Sequence, residues 1–186
     1  MKKLIIVGNQ TDLLTDYSEF INNAEYVIRF NKMESYNKNT GTKIDELVCR
    51  YANAYNIIHG FIINNEYINK DIELDKLKFT VVLNNFKDNK ALEIANNICE
   101  KNNISNINII YNNLNNTYNN KADTTLASTG KVIIEYILKD SLYKNYEIYI
   151  IGFNWFNFDH NNGHMWKLER TQIEQYVKDD KLIYLK

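Results

Sequence analysis

Short apolar runs, each separated by a longer stretch of mixed polarity, set the rhythm of this chain. Runs at 3–7, 25–30, 79–83, 107–111 and 147–151 are rich in Ile, Val, Tyr and Phe. Those residue types suit a pleated surface, and the runs are too short for helices, so each predicts a strand. The first, 3–7, reads as buried on both faces. A weaker strand at 44–48 follows a Gly41-Thr-Lys turn, and a last one is expected at 182–185. Helical spacing appears at 90–101, where Ala91, Ile94, Ala95 and Ile98 share a face, and at 131–139. It returns at 165–178, where Trp166, Leu168, Ile173, Tyr176 and Val177 supply the apolar positions. A short helix after the first strand is expected, capped by Thr11 or Asp12. The segment 51–69 fits a helix about as well as a strand, and 112–125 is polar, Asn-rich and aperiodic, which predicts a surface loop. Strands alternating with helices imply an α/β fold: a single Rossmann-like domain over 1–186, with a mostly parallel sheet flanked by helices.

Composition narrows the partners. The formal net charge is −1, with acids and bases interspersed, so no electrostatic footprint for nucleic acid or an anionic membrane is present. No apolar run approaches the roughly 18 residues of a bilayer span, so no integral membrane segment is expected. Cys49 and Cys99 belong to no motif and read as reduced core thiols of a cytoplasmic protein. Proline is absent while residues with A/T-rich codons abound, as in an A/T-rich bacterial genome. Individual asparagines therefore carry less meaning than they otherwise would.

Three places can carry chemistry. The stretch 152–169 runs from a predicted strand end into a predicted helix and holds His160 and His164. The carboxyl end of a strand is where open α/β sheets place ligands, and histidine exchanges protons near neutrality. Two readings stand side by side: a proton-transfer site, or two solvent-exposed histidines in an Asn-rich turn. Ser128-Thr129-Gly130 opens a helix, so it is either an ordinary cap or an anion site built from free amides. Gly130-Lys131 does not make a Walker A loop, because Thr125 and Val132 occupy its first glycine and its metal-binding hydroxyl positions. His164 and Glu169 are about 140° apart on a regular helix, which is not a zinc-site spacing. Glu169 is expected to brace a neighbouring loop. The predicted strand ends carry no acidic pair, so no metal site and no cofactor is expected.

Taken in order, these blocks resemble the animal-type sialyltransferase family. Val7-Gly-Asn9 with Leu13-Leu14, Ala24 to Asn31, and Gly41 to Asp45 together look like its large sialylmotif. Ser128-Thr-Gly130 followed by Tyr146 to Phe153 looks like its small motif. His164-Met-Trp-Lys-Leu-Glu169 matches its very short motif, and His160 stands for the histidine of motif III. The resemblance implies a Rossmann-like, metal-independent glycosyltransferase of the family's variant GT-A kind. It would transfer sialic acid from CMP-sialic acid, with inversion, to a glycan hydroxyl. The implied binding residues are Gly8, Asn9, Asn31, Ser128, Thr129, Gly130, Gly152 and Phe153, and the implied catalytic set is His164, His160 and Glu169. His164 would be the base. Competing readings are a transferase of another CMP-activated sugar such as Kdo, and a nucleotide- or glycan-binding module without turnover.

Overall fold

The computed structural model describes residues 1–52, 57–58, 72–73, 76–83, 89–112, 127–154 and 166–186. Strand β1 (Lys2–Val7) lies inside the sheet with a parallel neighbour on each side, and its side chains serve two layers. Leu4 and Ile6 join the core on one face, while Ile5 and Val7 join a separate cluster on the other. That double burial is why the run has no polar alternation. Around it lie β2 (Tyr26–Phe30), β3 (Glu46–Ala52), β5 (Lys78–Leu83), β6 (Asn106–Tyr111), β7 (Tyr146–Ile151) and β8 (Ile183–Leu185). These seven strands are parallel, in the order β6-β5-β3-β2-β1-β7-β8, and β4 (Ile57–Ile58) pairs antiparallel with β3.

Helices cover both faces. Val132, Ile133, Ile134 and Ile137 of α3 (Thr129–Lys139) and Ile173 of α4 (Trp166–Lys178) pack on the Leu4/Ile6 side. On the other side, Ile21 of α1 (Ser18–Asn22) covers the middle of the sheet, and Ala91, Ala95 and Cys99 of α2 (Asn89–Lys101) cover Leu47, Cys49, Phe79 and Val81. The chain builds outward from β1 through β2, β3, β5 and β6. It then crosses back through α3 to place β7 on the other side of β1. The strand order therefore reverses between β1 and β7, and a crevice opens there beyond the carboxyl ends. No helix of the described residues is long and apolar enough to cross a membrane.

The α/β architecture and parallel sheet expected from the periodicity are present. Two local expectations need correction. The first helix is α1, at Ser18–Asn22; neither Thr11 nor Asp12 caps it, its N-cap position is Tyr17 with no side-chain cap bond, and Asp16 accepts from the Ser18 amide at 2.8 Å. The weaker strand expected at 44–48 is β3, which runs on to Ala52. Polar Glu46 opens it and looks out of place in a core, yet it is buried. It accepts from the Tyr26 hydroxyl, from the Thr80 hydroxyl and from Lys78. The ambiguous segment contributes β4 and the last two residues of β3, and the rest of it and the 113–126 stretch lie outside the described residues.

Much of the Ala24–Asp45 block serves the fold. Arg29 is buried on β2, and its guanidinium donates to the carbonyls of Lys43, Thr40 and Gly41 and to the Thr40 hydroxyl. Burial pushes its pKa down to about 10, while the nearby Tyr36 counteracts that shift. Asp45 accepts from the Val27 amide at 2.8 Å. Arg29 thus pins the 40–43 segment against β2, and of its three carbonyl acceptors Gly41 also takes the Asn37 amide at 3.0 Å. Arg29→Met should cost about 2–4 kcal/mol, because removing the donor takes the partner from the Thr40 and Lys43 carbonyls. Urea unfolding should show a lower midpoint with an unchanged slope.

Candidate functional site

At the point where the strand order reverses, the carboxyl ends of β1, β2 and β7 and the start of α3 enclose a cleft of about 310 Å³. Gly8, Asn9, Asn31, Ser128, Thr129, Gly130, Gly152 and Phe153 all line it. The sequence positions singled out as binding residues therefore sit on one surface. Gln10, Phe30, Glu34, Asn154 and Trp166 complete the described lining and were not singled out.

Close approach of two strand ends makes the floor. The Gly8 amide donates to the Ile151 carbonyl at 2.8 Å, and the Gln10 amide donates to the Gly152 carbonyl at 3.0 Å. A Cβ on Gly8 would stand 2.1 Å from the Gly152 carbonyl oxygen, so only glycine fits. Gly152 itself has φ +71, a conformation that other residues adopt at a cost. Asn31 turns the chain out of β2 with φ 48, and its side chain accepts from the Arg50 amide at 3.2 Å. Its side chain is thus already used to hold the turn.

The wall is the start of α3. Ser128 caps it, accepting from the Lys131 amide at 3.2 Å. Glu169, fully buried on the first turns of α4, takes two hydrogen bonds from the same serine: from the amide at 2.7 Å and from the hydroxyl at 2.6 Å. Arg50 donates to the Ala127 carbonyl at 2.8 Å, one residue before the cap. Burial lowers the Arg50 pKa, and the charge of Glu169 opposes that shift. A cation, a carboxylate and a capping serine thus fix one turn of backbone. The amides of Thr129 and Gly130 remain, and neither has a partner among the described residues. Two orphan donors at a helix start, beside a cleft, are suited to an anion. A Cβ on Gly130 would meet the Phe153 ring at 2.6 Å, so this glycine keeps the ring seated against α3.

Two further polar atoms point to a ligand. Asn9 Oδ1 and Asn154 Oδ1 are buried and have no partner among the described residues. Buried amide groups without partners are uncommon, and both belong to side chains lining the cleft. No three His, Cys, Asp or Glu side chains of the described residues could together hold a metal ion.

His160 and His164 lie outside the described residues, as does His59. Glu169 is described, and its two oxygens accept from the Ser128 amide and hydroxyl at the start of α3.

Comparison with solved structures adds the context of the whole fold. The chain is similar to a mammalian sialyltransferase crystallised with Gal-beta-1-3GalNAc-ortho-nitrophenol, with a TM-score of 0.59 at 16% sequence identity. The fold is sialyltransferase-like. The match covers 100% of this chain and 69% of that one. No family model matches the sequence. No curated protein matches it either.

Glu169→Ala should destabilise the protein by about 3 kcal/mol, since it leaves the Ser128 amide and hydroxyl without their acceptor and removes a charge beside Arg50. Glu169→Gln keeps one oxygen acceptor and should cost less than half as much; denaturant titration of the two variants checks the order. Gly8→Ala should be at least as damaging as Glu169→Ala, because its Cβ meets backbone that cannot yield.

Proposed function

We infer that the protein is a glycosyltransferase that binds a CMP-activated sugar in this cleft and passes sialic acid to a glycan hydroxyl. The observation that carries the reading is the pair of unpartnered amides of Thr129 and Gly130. They open into a cleft at the switch point of a sialyltransferase-like sheet. The lining supports a donor with a single phosphate. It contains no Lys or Arg among the described residues and one carboxylate, Glu34. A diphosphate-linked sugar would bring more negative charge than two amides can offset, whereas a phosphodiester brings one.

In this reading the phosphate rests on the amides of Thr129 and Gly130, with Asn9 and Asn31 beside the nucleotide and Gly152 and Phe153 forming the floor. His164 precedes Trp166, the first residue of α4 and part of the cleft lining, by two positions in sequence. It serves as the general base. The acceptor hydroxyl gives its proton to His164 as its oxygen attacks the anomeric carbon. The bond from that carbon to the phosphate oxygen breaks, and CMP departs with the electron pair. The helix-start amides, with His160, stabilise the charge that grows on the leaving phosphate. Attack opposite to departure inverts the anomeric centre. No metal is needed for any of these steps.

Transfer is measured with CMP-sialic acid as donor and Gal-beta-1-3GalNAc-ortho-nitrophenol as acceptor. His164→Ala should lower the rate by at least about a hundredfold, the usual size of a lost proton transfer, while CMP affinity changes little. Excess EDTA should leave the wild-type rate unchanged. Near-normal transfer by the variant would remove His164 from the mechanism. A rate that falls in EDTA and returns with Mg²⁺ would point to a diphosphate donor, and turnover of CMP-Kdo in place of CMP-sialic acid would reassign the sugar.

A further inference from the structure

Glu34 is the one formally charged side chain among the described residues lining the cleft. It is exposed, yet it stands between two buried residues, Met33 and Ser35. Ser35 donates its hydroxyl to the Gly8 carbonyl at 2.7 Å, tying this turn to the cleft floor. The Thr40 hydroxyl donates to the Ser35 carbonyl, and the Met33 amide to the Phe30 carbonyl at 2.9 Å. Asn31 and Met33 both hold left-handed backbone, with φ 48 and φ 51. Such conformations persist where the surroundings over-determine them. The backbone that carries the Glu34 carboxylate is therefore fixed, and only the side chain itself retains freedom.

The cleft thus has two unlike ends. At α3 the amides of Thr129 and Gly130 offer donors within a positive field. At the turn after β2, Glu34 offers a carboxylate that only accepts when ionised. A ligand satisfying both must carry an anion at one end and neutral O–H or N–H donors a short distance away. Reversed, its anion would face Glu34. A nucleoside 5′-monophosphate has this layout, since its phosphate is one carbon removed from a ribose bearing two adjacent hydroxyls. A vicinal diol matches the two oxygens of a carboxylate. In doubly wound folds a carboxylate beyond the second strand is commonly used for ribose hydroxyls. Glu34 follows the last residue of β2, Phe30, by four positions.

We propose that Glu34 is the residue by which this protein selects a ribonucleotide, its carboxylate accepting hydrogen bonds from the ribose 2′- and 3′-hydroxyls. The proposal rests on the CMP-sugar reading of the same cleft. It gives the donor a direction, with ribose at the β2 turn and phosphate at α3, and it assigns to one side chain a discrimination that the amides cannot make.

The test is calorimetric titration of the full chain with CMP, 2′-deoxy-CMP and UMP, for wild type, Glu34→Ala and Glu34→Gln. Wild type should bind CMP about tenfold or more tighter than 2′-deoxy-CMP, the usual size of a hydrogen bond to a charged group. In Glu34→Ala that preference should collapse to less than about twofold, mainly through weaker CMP binding, while the preference for CMP over UMP stays as in wild type. Glu34→Gln should fall between. Because Glu34 is exposed, thermal melting of both variants should match wild type. CMP bound with an unaltered ribose preference in Glu34→Ala would overturn the assignment while leaving the donor reading intact. A variant that loses its preference for CMP over UMP instead would overturn it too, by placing the base at Glu34. A wild-type chain that binds neither cytidine nucleotide would overturn the donor reading and this proposal together.

Discussion

Two hydrogen bonds from Ser128 to the buried carboxylate of Glu169 hold the start of α3 against the first turns of α4. The cleft depends on that contact more than on any other. A carboxylate without solvent is costly unless its oxygens are filled, and one serine fills both of them. The same serine caps α3 through the Lys131 amide, so one side chain serves two helices. Arg50, reaching from β3 to the Ala127 carbonyl, closes the unit and supplies the compensating charge. With Ser128, Lys131 and Ala127 all engaged, the amides of Thr129 and Gly130 are left as the donors directed at the cleft.

The opposite wall is built by a different device. Gly8 lets two parallel strand ends approach to a distance that no side chain tolerates, Gly152 turns beside it with φ +71, and Ser35 ties the turn after β2 to the Gly8 carbonyl. Arg29 then holds the 40–43 segment behind that turn through backbone carbonyls. The residues that make the block around Arg29 look like a binding motif are thus divided by what they touch. Arg29 and Asp45 are spent on the backbone, while Asn31 and Glu34 line the cleft.

The fold was legible wherever one physical effect dominated. Double burial wrote β1, β2, β5 and β7 as apolar runs, α2 carried a helical apolar stripe, and α3 had a clear start at Ser128. Legibility failed where polar residues are buried in pairs. Glu46 and Arg50 make β3 look like the edge of a loop, although the first is satisfied by Tyr26, Thr80 and Lys78 and the second by Ala127 and its neighbour Glu169. Lys131, fully buried against Glu135 and the Tyr176 ring, breaks the apolar face of α3 in the same way. Helix α1 has no side-chain cap to announce it. In the cleft, glycines and asparagines at strand ends were visible because those positions are where parallel sheets place ligands. Glu34, Asn154 and Trp166 were not, since a lone acid, amide or indole in a turn or at a helix start has no distinguishing spacing. Arg50 reaches the site across 77 positions of sequence, and only the folded chain brings it to Ala127.

A crystal structure of the protein with CMP tests the central claim most directly. The account predicts the phosphate within hydrogen-bonding distance of the Thr129 and Gly130 amides, with the nucleoside lying over Gly8 and Gly152 towards the turn after β2. CMP bound elsewhere on the sheet, or seated in this cleft with its phosphate away from the start of α3, would contradict it.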